Sequence, residues 1–288
     1  MRWDRNHQSN DVIDERGAGG TSPAGVGGAG ILFWLLSRFG LPGLLVGGVV
    51  LAALYFLSPS STSEQQGLRS EPPIVTSAED ETARFVGFVL DDVQSTWKRI
   101  FSERGRNYSP AKLVLFSEAT RSGCGVGSAQ VGPFYCPNDR RVYIDLAFYR
   151  ELARRFGAPG DFAQAYVIAH EVGHHVQTLL AERGSGRSLV RGRERENAAS
   201  IQTELQADCY AGVWAHSTEQ RDILQAGDIE EGLRAAAAVG DDTLQRETEG
   251  RVSPETWTHG SSEQRVSWFK RGYTSGSMDA CEPRAAAR

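Results

Sequence analysis

The chain carries its hydrophobic residues in one solid block and in a series of periodic runs. The block is residues 31–57, ILFWLLSRFGLPGLLVGGVVLAALYFL. Its uncharged part, Phe39 to Leu57, matches the roughly 20 helical residues that cross a bilayer. Arg38 stands near one end, where its head can reach the headgroups. A long polar region precedes the block and no small-x-small cleavage site follows Leu57, so it reads as an uncleaved anchor rather than a signal peptide. Residues 1–30 are polar and then Gly-rich, which predicts a flexible tail. Residues 58–77 are a Ser/Pro/Gln linker, leaving 78–288 as the folded domain.

Within that domain the periods alternate. Phe85, Val86, Val89, Val93, Trp97, Ile100 and Phe101 recur at helical spacing and predict a helix to about Arg104, with Ser77 and Asp80 resembling its capping box. Lys112–Phe116 reads as a short strand, and Gly123–Gly132 as a turn-rich stretch. Gln130–Tyr135 and Arg141–Asp145 read as two strands joined by Cys136-Pro137-Asn138-Asp139. Further helices are predicted over Leu146–Phe156, Asp161–Ala181, Glu194–His216, Asp228–Val239 and from Ser261 or Ser262 to about Lys270. The pattern is an α+β class: a mostly helical domain with one small sheet, preceded by one transmembrane helix.

Charge narrows the function. With 31 Lys+Arg against 36 Asp+Glu, the net charge of −5 argues against a nucleic-acid partner. Arg2, Arg5, Arg16 and Arg38 precede the uncharged run Phe39–Leu57, and Arg69 alone follows it closely. The positive-inside rule then puts the N-terminus in the cytoplasm and the main domain outside, across a membrane crossed once. Cys124, Cys136, Cys209 and Cys281 contain no C-x-x-C pair, so a Cys-ligated zinc or thioredoxin-type centre is not expected.

The informative motif is His170-Glu171-Val172-Gly173-His174, H-E-x-x-H inside a predicted helix. A spacing of four sets His170 and His174 on one face, one turn apart, where two imidazoles can share one Zn²⁺. Glu171 is turned toward a water on that metal and is the expected general base. Two partly exposed helical histidines are the alternative. Catalytic zinc usually takes three protein ligands, and Glu204 on the next strong helix can complete a His₂Glu set. Asp208, four residues on, can then hold the free ring nitrogen of a ligating histidine. A solvated acidic face fits poorly, because Leu205, Ala207, Tyr210, Ala211 and Trp214 surround the two acids.

The remaining candidates are weaker. His175 falls about 100° off the zinc face and reads as structural. Gln177 receives no role, His216 reads as a helix-end cation, and His7 lies in the tail. His259, in TWTHGSSEQR, is the candidate oxyanion donor, with a structural loop histidine as the alternative. Arg265 can assist it; Tyr210 and Tyr135 are lesser donor candidates. Ala129–Tyr135 is a candidate sheet edge for an extended peptide.

Taken together, HEVGHHVQ, ELQADCYAGVW, VGDDTLQ and THGSSEQRVSWFKRGY resemble the YpfJ-type neutral zinc metallopeptidases of bacteria. MRWDRN, the Gly-rich stretch, the apolar block and SGCGVGSAQVGPFYCPNDRRVYID extend the resemblance over almost the whole chain. It implies a gluzincin-like, zincin-fold peptidase domain, with His170, His174 and Glu204 as ligands, Glu171 as base and Asp208 supporting a ligand. A histidine near the C-terminus is similar to that of membrane-associated HtpX-type peptidases, which supports His259 and Arg265 by analogy. With the domain outside the cytosol, Cys124–Cys136 and Cys209–Cys281 are the expected disulfides, although four cysteines allow three pairings and the sequence does not choose. The reading is a membrane-anchored zinc endopeptidase acting on a peptide or protein. A non-catalytic zinc-binding scaffold and a hydrolase of a non-peptide amide remain the alternatives.

Overall fold

A computed structural model describes residues 1–16, 77–128, 132–156, 160–182 and 193–282. Its sheet has the order β1-β2-β6-β5, built from β1 (Val12–Asp14), β2 (Lys112–Phe116), β5 (Phe134–Cys136) and β6 (Arg141–Asp145). β1, β2 and β6 run parallel; β5 is antiparallel to β6 and forms an edge. In β2, Leu113 to Phe116 are all buried, as expected of a strand covered on both faces. A separate hairpin pairs β3 (Ala119–Ser122) with β4 (Gly125–Ser128). The sequence predicts only turns over much of this region, because its Gly and Ser positions carry no period-2 hydrophobic signal. The Cys124–Cys136 disulfide ties the hairpin turn to the end of β5.

The helices are α1 (Ser77–Glu103), α2 (Ala147–Phe156), α3 (Asp161–Ala181), α4 (Arg193–Gln220), α5 (Asp228–Ala238), α6 (Asp241–Glu249) and α7 (Ser262–Ser275). The helix-period residues of α1, from Phe85 to Phe101, are buried as the spacing predicts. α3 is central and is buried on nearly every face from Phe162 to Val176. α6 is absent from the sequence reading; it is nine mostly polar residues with little apolar stripe to announce it. α7 begins at a capping box in which Ser261 accepts from the Gln264 backbone N–H and the Gln264 side chain accepts from the Ser261 backbone.

Two glycines set the helix contacts that build the site. A β-carbon at Gly173 of α3 would stand 3.1 Å from the Ala207 Cα of α4, so the small residue inside H-E-x-x-H lets α4 approach. A β-carbon at Gly272 of α7 would collide with the Cys209 carbonyl oxygen, so α4 and α7 touch at the backbone. Cys209 also bonds Cys281, beyond α7, which fastens the C-terminal turn to α4.

One expectation is overturned. Residues 1–16 are not a flexible tail but part of the same compact unit as the helices. Met1 is buried, Trp3 meets Phe85 edge-on at 5.3 Å, and β1 pairs with β2. His7 bonds Asp91 at 2.8 Å. The local sequence is polar, but its few apolar residues find a groove supplied by α1 and β2. Among the described residues no helix is long and apolar enough to cross a membrane; residues 31–57 lie outside them.

Candidate metal centre

The site is built on α3. Tyr166, His170 and His174 occupy successive turns of one face, with Gln177 three residues further on. α4 lays Glu204 and Asp208 against that face through the Gly173–Ala207 contact. Glu204 Oε2 lies 3.2 Å from His170 Nε2, and Glu204 Oε1 lies 3.5 Å from His174 Nε2. One donor atom from each of the three residues falls within 4.8 Å of the others. Two imidazole nitrogens and one carboxylate oxygen are a donor set that zinc accepts, and three protein ligands leave a fourth position for substrate chemistry.

The outer partners fix this arrangement. His170 Nδ1–H donates to Asp208 Oδ1 at 2.8 Å, which leaves Nε2 to face the centre. His174 Nδ1–H donates to Gln177 Oε1 at 2.9 Å, freeing its Nε2 in the same way. Gln177 is itself held, donating to the Thr203 carbonyl at 2.8 Å and to Gln206 Oε1 at 3.0 Å. Asp208 is fully buried and takes a bidentate pair from Arg265, Nε at 2.8 Å and Nη2 at 2.9 Å, together with the Tyr166 hydroxyl. A buried carboxylate survives only with such partners.

The acid–base properties follow. Burial alone would lower His170, but the Asp208 carboxylate reverses this and the group is pushed up to about 9. Burial alone would raise Glu204, and hydrogen bonds from His170 and His174 overcome it and hold the carboxylate well below its usual range. Glu171 is buried beside them. Burial raises its carboxyl above the usual value, with His170 and His174 opposing. A raised carboxyl is the tuning a general base near neutrality needs.

His259 reaches the same region from the loop before α7. Its ring Nδ1 lies 3.0 Å from Asp241 Oδ1, while Asp241 Oδ2 accepts from the backbone of Thr258, His259 and Gly260 at 2.8, 2.7 and 3.1 Å. Its side chain is 47% exposed, against 3% for Arg265 as a residue. The Asp241 hydrogen bond raises the His259 pKa, and the negative charge of Glu204 adds to it. His259 is therefore an available ring in the field of Glu204.

Other sequence candidates fall elsewhere. Arg265 does not face a substrate; its guanidinium is buried on Asp208. Tyr135 and His175 pair with each other, hydroxyl to Nδ1 at 3.0 Å, and His175 Nε2 donates to the Ser109 carbonyl at 2.6 Å. Burial lowers the His175 pKa, in keeping with a structural histidine. Tyr210 packs edge-on against Trp97 at 5.1 Å and lines a cleft of about 470 Å³ with Arg104, Arg106, Gln177 and Gln206. His216 bonds the Tyr273 carbonyl. Of the candidate edge Ala129–Tyr135, residues 129–131 lie outside the described set, while Phe134 and Tyr135 belong to edge strand β5. Three roles escape the sequence reading. Gln177 and Tyr166 carried a visible signal, since both share the helix face of the histidines. Asp241 carried none, because its histidine partner is set by the loop.

Comparison with known proteins bears on this geometry. Residues 1–283 match the family described as "putative neutral zinc metallopeptidase". The chain is 46% identical over 291 residues to YpfJ, an uncharacterised protein of Escherichia coli strain K12, covering 98% of each chain. Uncharacterised proteins of Mycobacterium tuberculosis strain H37Rv and Mycobacterium bovis are each 44% identical over 208 residues, covering 68% of this chain and 69% of theirs. No solved structure matches the chain. A His₂Glu donor set on two adjoining helices fits the metal in that description, and the match spans nearly every residue: this chain belongs to the putative neutral zinc metallopeptidase family.

Proposed function

We propose that the protein is a zinc-dependent endopeptidase held at a bacterial membrane by residues 31–57. The observation that supports this most is the convergence of His170, His174 and Glu204, with Glu171 buried beside them. Those three residues would hold the zinc, Asp208 and Gln177 would orient the two rings, and Glu171 stays free of the ligand set. Zinc, when bound, supplies Lewis acidity that polarises a carbonyl and acidifies water. Glu171 takes the proton of the attacking water and passes it to the nitrogen of the leaving amine. His259, its ring oriented by Asp241, donates to the substrate carbonyl oxygen as that oxygen gains charge. The substrate lies extended along β5, whose outer edge offers backbone hydrogen bonds.

The test is zinc content and cleavage of casein by the purified full chain, with peptidoglycan fragments as a second substrate. Wild type should hold one zinc per chain and cleave casein; Glu204→Ala should lose the metal. Glu171→Gln should keep the metal and lose cleavage. A Glu171→Gln variant that cuts as fast as wild type would remove Glu171 as the base. Zinc without turnover on either substrate would favour a scaffold, and cleavage of the peptidoglycan fragments alone would make this a hydrolase of another amide.

A further inference from the structure

The two flanks of the apolar block are strands of one sheet. β1 lies before it and β2 after it, in parallel register, Val12 opposite Leu113, Ile13 opposite Val114 and Asp14 opposite Leu115. Paired strands stand about 4.8 Å apart, whereas a bilayer's hydrocarbon core is about 30 Å thick. A single crossing between residues 16 and 77 would put these two strands on opposite faces of the membrane. The pairing and the crossing exclude each other.

The contacts on β1 are too many to be incidental. The Gln94 side chain donates to Asp11 at 3.2 Å, and Lys112 pairs with Asp11 at 2.6 Å. Arg16 is buried, pairing with Asp14 at 2.6 Å and donating to the Glu79 carbonyl at 3.1 Å, at the first turn of α1. The residues on either side of the block are thereby fastened to each other.

The positive charges that suggest a crossing have another explanation. Arg2 donates to the Asp222 carbonyl at 3.1 Å, Arg5 pairs with Glu81, and Arg16 is engaged as above. Three of the four basic residues counted before the uncharged run belong to the fold, so their placement says nothing of translocation.

We infer that residues 1–16 and 77–282 lie on the same side of the membrane that residues 31–57 meet. The two disulfides put that side in an oxidising compartment. The inference does not rest on the catalytic reading and survives or fails without it.

The experiment uses the full chain in right-side-out and inverted membrane vesicles. Gln8→Cys and, separately, Asn107→Cys place one reactive thiol at an exposed position on each flank; the native cysteines are all in disulfides. A membrane-impermeant maleimide is applied, and each signal is normalised to labelling after detergent. The expected result is that both thiols react in right-side-out vesicles and are protected in inverted ones, with the protein retained in the pellet after alkaline carbonate. Reaction of the two thiols from opposite sides would restore the single crossing and overturn the inference. Release of the protein by carbonate would overturn the insertion into lipid.

Discussion

Among the described residues, two places gather three metal-binding side chains within 4.8 Å: His170, His174 and Glu204, and Asp161, Asp228 and Glu231. On donor convergence alone they are equals. Their surroundings differ. At the first, each histidine has an outer acceptor, and the carboxylate is held ionised by the rings. At the second, the Met1 α-ammonium already sits among the acids, 2.7 Å from Asp161 and 3.3 Å from Asp228. Three carboxylates then share one cation. Burial, with the charges of Asp161 and Asp228, raises Glu231, and its buried Oε2 has no hydrogen-bond partner. The first cluster presents three converging donor atoms in a fixed posture; the second is an ion-pair joint between the N-terminal segment and the starts of α3 and α5. Proximity of ligand types is a weak sign of a metal until the charge and the second partner of each are counted.

The largest effect should come from the support beneath the first cluster. Asp208→Ala leaves the Arg265 guanidinium buried without its carboxylate and His170 without an acceptor, so it should cost about 3–5 kcal/mol of stability. Urea unfolding measures it, and a loss under about 1 kcal/mol would show that the network is incidental. Gln177→Ala should lower zinc affinity about 10- to 100-fold by freeing the His174 ring, with little change in folding. Competition with a chelator gives the affinity, and an unchanged value would take Gln177 out of the site. Asp228→Asn should cost about 1 kcal/mol, because Asp161 keeps the Met1 ammonium and the oxygen of the new amide can still accept from the Gln225 backbone. A loss as large as that of Asp208→Ala would erase the contrast between the clusters.

The smallest effect is a pH dependence. The folded Glu231 carboxyl keeps its proton to higher pH than an unfolded glutamate, whose value is about 4.3. More protons are then bound in the folded state between the two values, so this contribution is complete below the unfolded value and is lost as pH rises through the folded one. Glu231→Gln should match wild type in mildly acid urea titrations and become the more stable of the two as pH rises. An advantage that instead grows toward low pH would reverse the sign assigned to this group.

Much of the candidate metal centre was legible because it is written in helical periods. The bounds of the α3 helix follow from Gly160 before it and from the end of its apolar run. Glu204 and Asp208 stood out as two acids at spacing four in apolar company. The N-terminal strand was not legible. It is three residues long, and its neighbours are polar. Its partner is a strand about a hundred positions away, so no local period marks it. The same holds for the hairpin of β3 and β4 and for Asp241, whose role appears only when the loop folds onto it.

Local pattern by itself determined most of the helices, the H-E-x-x-H face, the acid pair opposite it and the apolar block, because each is set by residues within a few turns of one another. Tertiary structure alone decided that Arg265 serves Asp208 rather than a substrate and that Gln177 holds His174. It also decided that Met1 to Arg16 belong with the sheet and α1. Those outcomes depend on which surfaces meet across the chain, and that is governed by packing and charge compensation between distant segments, which no local spacing encodes.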